Sequence, residues 1–198
     1  MKRALSIVSL PFICAQMIFV VLVLVWLAAH AAEFGGVKIP DRLSVNGKTL
    51  YLNGFGRRTY SIVGIHIYVA SLYLEHFSTN PDEIIRSPET KLLMFRFEHK
   101  VSADEARNAW REGLKSSCMI PCHLDPDDVE RFLSKMPAML VGDNFSLLFT
   151  ENAVTVTSNG QQIGAITQRR IVEAMLATFL GPRPASLTLE QELLGRHG

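Results

Sequence analysis

No charged residue occurs between Ala4 and Ala29. Such a stretch, behind Lys2 and Arg3 and ahead of the small residues Ala29-His30-Ala31, points to a targeting or membrane segment. The reading preferred for residues 1–32 is a signal peptide cleaved near Ala31 or Ala32, which places the chain in an exported, periplasmic setting. A retained N-terminal membrane anchor is the alternative, since a bilayer span needs about 20 apolar residues. Excess basic charge is missing as well. Taking Lys2 and Arg3 from the 20 basic residues leaves 18 against 19 acids, a net of −1 for the exported part. No electrostatic footprint for nucleic acid remains.

Cysteine is scarce. Of the three, Cys14 lies in the N-terminal segment, which leaves Cys118 and Cys122. The open readings are a disulfide, two free thiols, or a metal site with His123; an oxidising compartment and the loop residue Pro121 favour the disulfide. Internal repeats, low-complexity tracts and linkers are absent, so residues 33–198 read as one domain of about 165 residues with room for a substantial core. There is no G-x-S-x-G elbow, Walker loop or complete Rossmann fingerprint, and the histidines lack metal-ligand spacing. Neither a metal nor a cofactor is implied.

What is present reads as strands and then helices. Leu43-Ser44-Val45, Asn46-Gly47 and Thr49 to Leu52 predict a hairpin, because Asn-Gly favours the tight turn that antiparallel strands need. Asn53-Gly54-Phe55-Gly56 reads as a sharp glycine turn. Beyond Arg57 and Arg58, the stretch from Thr59 to Leu74 predicts further strand, with Ile65, Ile67 and Val69 on one face and His66, Tyr68, Ala70, Leu72 and Leu74 on the other. Lys91 to Glu98, Phe145 to Thr150, Val154 to Thr157 and Gln162 to Ile166 predict the remaining strands.

A short helical turn is expected around Pro81 to Arg86. Ser102 with Glu105 forms a capping box ahead of Ala106, Trp110 and Leu114. Asp125-Pro126-Asp127-Asp128 opens a second helix, Thr167 to Leu180 a third, and Thr188 to Leu194 a last one ending at Gly195. The expected class is α+β, an antiparallel sheet with helices packed on it. Tyr51, Tyr60, Tyr68 and Tyr73 are candidates for a pocket lining or for plain core, and Lys100, Arg107 and Arg111 for a solvated face.

The run Asn53-Gly-Phe-Gly-Arg-Arg, followed by Ile67-Tyr-Val-Ala-Ser-Leu-Tyr-Leu-Glu75, resembles the chalcone isomerase-like proteins, especially their exported bacterial branch. Ile39-Pro40, Trp110-Arg-Glu-Gly113, Gly142-Asp143 and Phe179-Leu-Gly-Pro182 extend the resemblance over Val37 to Gly195. It implies an open-faced β-sandwich, a large antiparallel sheet with helices on one face and a ligand cleft between them. Arg58 matches the arginine that stabilises developing negative charge on oxygen in the plant enzymes. Tyr68 falls near their strand threonine, and Asn108 matches their asparagine.

The other positions depart from the enzymes. Val101 stands near their helix tyrosine, Asp104 near their lysine, and Arg170 or Ile171 near a late hydroxyl. Arg58, Tyr68 and Asn108 are therefore the candidates for both catalysis and ligand binding. The resemblance favours a non-catalytic protein that holds a small apolar or carboxylate-bearing ligand such as a fatty acid. The alternatives are an isomerase, an intramolecular lyase acting on an α,β-unsaturated carbonyl compound, and a ligand-free envelope interaction module. Arg58 is also open to a plainer reading, pairing with Glu98 or Asp143, and Arg57 to simple solvent exposure.

Overall fold

The computed structural model describes residues 31–60, 63–118, 124–151 and 153–196. The expected signal or anchor segment, apart from Ala31 and Ala32, lies outside these residues, as does Cys122.

A seven-stranded antiparallel sheet runs in strict sequence order: β3 (Arg42–Val45), β4 (Lys48–Tyr60), β5 (Ile65–Leu74), β6 (Lys91–Phe97), β7 (Asn144–Phe149), β8 (Val154–Ser158) and β9 (Gln161–Ile166). Two of its turns are the expected Asn-Gly pairs. Asn46 and Gly47 have φ of 51° and 77°, and Asn159 and Gly160 have 49° and 81°. Positive φ at both central residues matches the twist of the flanking strands, and Asn followed by Gly tolerates it best.

A separate hairpin, β1 (Ala31–Phe34) with β2 (Val37–Pro40), covers one face of this sheet. Ile39, Leu50, Val69, Tyr73 and Leu92 make the core beneath it. The opposite face carries the helices α1 (Pro81–Arg86), α2 (Ala103–Ser117), α3 (Pro126–Leu133), α4 (Arg169–Leu180) and α5 (Leu187–Leu193). Their larger core includes Leu72, Leu93, Leu114, Leu133, Leu147 and Met175. The helix starts follow the local chemistry. Ser102 accepts from the Glu105 amide while the Glu105 carboxylate accepts from the Ser102 amide, and Asp125 accepts from the Asp127 amide ahead of Pro126. Each cap satisfies amides that the helix itself leaves unpaired, about 1 kcal/mol apiece.

One expectation is corrected. Asn53-Gly54-Phe55-Gly56 is no turn; it lies inside the 13-residue strand β4, and the reversal comes at Val63-Gly64, where Gly64 has φ of 69°. The two glycines serve close approach instead. A Cβ on Gly54 would sit 2.2 Å from the Glu192 carbonyl oxygen, and one on Gly56 would sit 1.9 Å from Glu192 Oε2. The bare backbone of β4 is where α5 lies down on the sheet.

Candidate functional site

The site begins with a bulge. Leu52 pairs with Tyr73 and Gly54 with Leu72, so Asn53 is an extra residue on β4. Its side chain ties in two neighbours: Nδ2 donates to the Leu193 carbonyl at 2.9 Å, and Oδ1 accepts from the Ser78 amide at 3.0 Å. The extra residue also resets the alternation of the strand. Leu50, Leu52 and Phe55 pack on the β1–β2 side. Gly54, Gly56 and Arg58 therefore face the helices, and Arg57 faces the hairpin.

Arg58 lies directly across from Tyr68 on β5. Tyr68 enters the helix-side core edge-on to Phe95 and Phe97, with ring centroids 5.1 and 5.6 Å away. Burial pushes the Tyr68 phenol up to about 12, and the Arg58 guanidinium partly opposes that rise. At neutral pH Tyr68 is accordingly a protonated hydrogen-bond donor rather than a base. Among the described residues Arg58 has no ion pair or hydrogen bond, and the Tyr68 hydroxyl has no hydrogen bond. The pair offers a half-buried cation and a phenolic donor side by side, the combination that receives a carboxylate or a polarised carbonyl oxygen.

Arg57 is occupied. Nε and Nη2 donate to Glu98 Oε2 and Oε1 at 2.8 and 2.9 Å, a two-pronged pairing. The guanidinium carbon lies 4.7 Å from the centre of the Phe34 ring, and the Arg57 amide donates to Glu192 Oε2 at 3.1 Å. Arg57 thus clamps β1, the end of β6 and α5 onto β4, and the expectation that it simply meets solvent is overturned. Glu98 is taken by Arg57, while Asp143 accepts from the Leu140 amide and Asn159 Nδ2. Neither acid neutralises Arg58.

The structure does not bring Asn108 to this pair. Ala106, Trp110 and Leu114 turn the inner face of α2 to the core, and a position two residues on from Ala106 points away. Asn108 is exposed and accepts from Arg111 Nη1 at 2.9 Å, and Arg111 also grips Glu130 on α3. Val101 forms a short bridge with Met139, Asp104 pairs with Arg107, and Ile171 is fully buried. Inside Tyr68 the space is filled by rings: Phe95 stacks on Phe179 at 5.2 Å, and Trp110 meets Phe179 and Phe132 at 5.7 and 5.2 Å.

A cavity of about 260 Å³ lies elsewhere, between α3 and the edge strand β9, lined by Phe132, Met136, Ile163 and Ile166 with Arg131 and Lys135 at its rim. Cys118, at the end of α2, is held in a disulfide. Among the described residues no group of His, Cys, Asp and Glu is placed to hold a metal.

Sequence reasoning misses the role of Glu192 and gives Glu98 the wrong arginine, Arg58 in place of Arg57. Glu192 has a faint signal: Gly54 and Gly56, two apart on a strand, mark one face kept bare for an approaching backbone. For Glu98 no local signal chooses between the two arginines, because its partner is set by which face of β4 Arg57 takes after the bulge.

Among curated proteins none matches this sequence. The model of the chalcone isomerase-like family matches residues 31–195. Among solved structures, the crystal structure of an Arabidopsis thaliana fatty-acid binding protein superposes with a TM-score of 0.69, covering 83% of this chain and 96% of that one at 15% identity. That identity speaks to the fold alone, and the fold is the same curled antiparallel sheet with helices on one side. With the family matched over nearly all described residues, and with an arginine facing the helices just after the paired glycines, the chain belongs to the chalcone isomerase-like family.

Proposed function

We propose that this protein binds, without converting it, a small amphiphile with an acidic head, of the fatty-acid class. Arg58 and Tyr68 receive the head between sheet and helices. The observation that carries this reading is the contrast within one dipeptide: Arg57 has a carboxylate, a ring and a helix to hold, and Arg58, half-buried beside a phenol, has no anion among the described residues. A half-buried cation without a partner favours an anionic ligand. The fold shared with a fatty-acid binding protein supports the same ligand class.

Ring closure finds little support here. Val101 and Asp104 are engaged in structure at the positions of the enzymes' tyrosine and lysine, and Tyr68 holds its proton up to about 12. Because rings fill the space inside Tyr68, the alkyl tail enters by parting α2 from the sheet, which moves Trp110. We also infer that the chain works outside the cytoplasm, as the uncharged N-terminal run and the bonded Cys118 suggest, with Cys122 as the partner cysteine.

Titration of the exported protein with dodecanoate, followed by Trp110 fluorescence, tests the site. Saturable binding is expected, weakened at least about tenfold in Arg58→Ala. Methyl dodecanoate, which lacks the charge, should not distinguish wild type from variant. Equal dodecanoate affinity in the two proteins would remove Arg58 from the site. Extraction of the purified protein for bound lipid gives an independent readout.

A further inference from the structure

Five large apolar side chains stand in solvent at one end of the sheet. Tyr60 (61% exposed), Val63 (78%) and Ile65 (38%) crown the β4–β5 hairpin, and Leu140 (56%) and Val141 (69%) form the tip of the loop before β7. The two tips are neighbours. The Glu98 amide donates to the Ile67 carbonyl at the foot of the hairpin, while the Phe97 carbonyl accepts from the Gly142 amide and the Phe97 amide donates to the Asp143 carbonyl. Adjacent strands lie about 5 Å apart, so the two tips project from the same edge of the molecule.

The charges around these tips are lopsided in availability. Arg58, Arg96 and Lys100 make no ion pair among the described residues, and His66 and His99 are exposed beside them. Of the acids at this end, Glu98 is neutralised by Arg57 and Asp104 by Arg107, while Asp143, held by the Leu140 amide and Asn159, and Glu105, held by the amide and hydroxyl of Ser102, keep their charge.

The far end of the sheet is different. There Tyr51 and Phe77 stack on each other at 5.9 Å, Lys48 pairs with Glu75, and His76 pairs with Glu89. Its exposed rings touch one another, and Lys48 is neutralised by Glu75.

From this we propose that the β4–β5 hairpin tip and the Leu140-Val141 loop dock on an anionic lipid bilayer surface. Aliphatic and tyrosine side chains at loop tips enter the headgroup boundary, and unpaired cations behind them meet the lipid phosphates. The docking is peripheral, since no helix among the described residues is long and apolar enough to cross a membrane. It rests on the fatty-acid reading for its purpose: Arg58, two residues from Tyr60, then stands at the membrane side of the site, where a fatty acid leaving the bilayer presents its carboxylate.

The test is flotation of residues 31–198, which contain both apolar cores and every described element, with vesicles of phosphatidylcholine alone or mixed with phosphatidylglycerol. Binding is expected to the mixed vesicles, to fade in high salt, and to fall at least about tenfold in Tyr60→Ser/Leu140→Ser/Val141→Ser. Leu187→Ser, an exposed apolar residue at the start of α5, should leave it unchanged. Thermal unfolding of each variant checks the fold.

No flotation, equal flotation with neutral vesicles, or an unaffected triple variant overturns the docking surface. So does a dimer in ultracentrifugation that the triple variant dissolves, which would assign the patch to a second copy. Dodecanoate titration without vesicles separates the two readings. The triple variant should keep wild-type affinity there, so lost flotation with intact titration condemns only the membrane surface, and failed titration in the wild type condemns only the ligand site.

Discussion

Arg57 and Arg58 are chemically identical and adjacent; as neighbours on a strand they take opposite faces of β4, and the bulge at Asn53 decides which takes which. On the hairpin side Arg57 is spent on architecture, gripping Glu98 with two hydrogen bonds and carrying Phe34. On the helix side Arg58 meets a phenol and no acid among the described residues. Residue type therefore says little about role here. What separates a structural cation from a functional one is whether the fold has already supplied its anion.

The most damaging way to break this contrast is to stop α5 from lying on β4. In Gly54→Val the new side chain meets the backbone carbonyls of Glu192 and Leu193, which have no flexible end to move aside. Loss of about 3 kcal/mol in urea unfolding is expected, and the Glu192 contact to the Arg57 amide should go with it. A full-stability Gly54→Val would show that the glycines are not there for the helix. Next in size is Arg57→Ala, which leaves Glu98 without its partner and should cost about 2 kcal/mol. Dodecanoate affinity should change little.

Arg58→Ala is the mirror of that variant. Its stability should stay within about 0.5 kcal/mol of wild type, and its ligand affinity should fall about tenfold, near 1.4 kcal/mol. If the two alanine variants showed the same pattern, the division of labour between the two faces would be wrong.

Much of this is legible in the sequence alone. Elements with strong local chemistry were read nearly to the residue: the Asn46-Gly47 and Asn159-Gly160 turns, the Ser102–Glu105 cap, the Asp125-Pro126 start, and the two faces of β5. Gly54 and Gly56 misled because glycine has two uses, positive φ and lack of a side chain, and only the second applies here. Asn108 shows where motif matching runs out. Its position in the sequence matches the family, but the inward face of α2 is set by Ala106, Trp110 and Leu114, and Asn108 is turned to solvent. The choice between Arg57 and Arg58 as partner of Glu98 depended on one extra residue in a strand pairing, which no local pattern announces.

The smallest test compares the tyrosines on the two faces. Burial pushes both Tyr68, on the helix side, and Tyr73, on the hairpin side, up to about 12. Both rings lose the proton near 10 when unfolded, so above that pH the folded state binds more protons and stability falls as pH rises. At about pH 10.5 each tyrosine should cost roughly 0.8 kcal/mol relative to neutral pH. Lys91 acts with the opposite sign: burial holds its amine down to about 8, so its contribution improves between there and its unfolded value near 10.5. Urea unfolding across this range should give Tyr68→Phe and Tyr73→Phe the same reduction in alkaline destabilisation, because the cause in each is burial. Only Tyr68→Phe should also weaken dodecanoate binding, by about threefold for one lost neutral hydrogen bond. If Tyr73→Phe weakened it equally, the phenol beside Arg58 would have no special part in receiving the ligand.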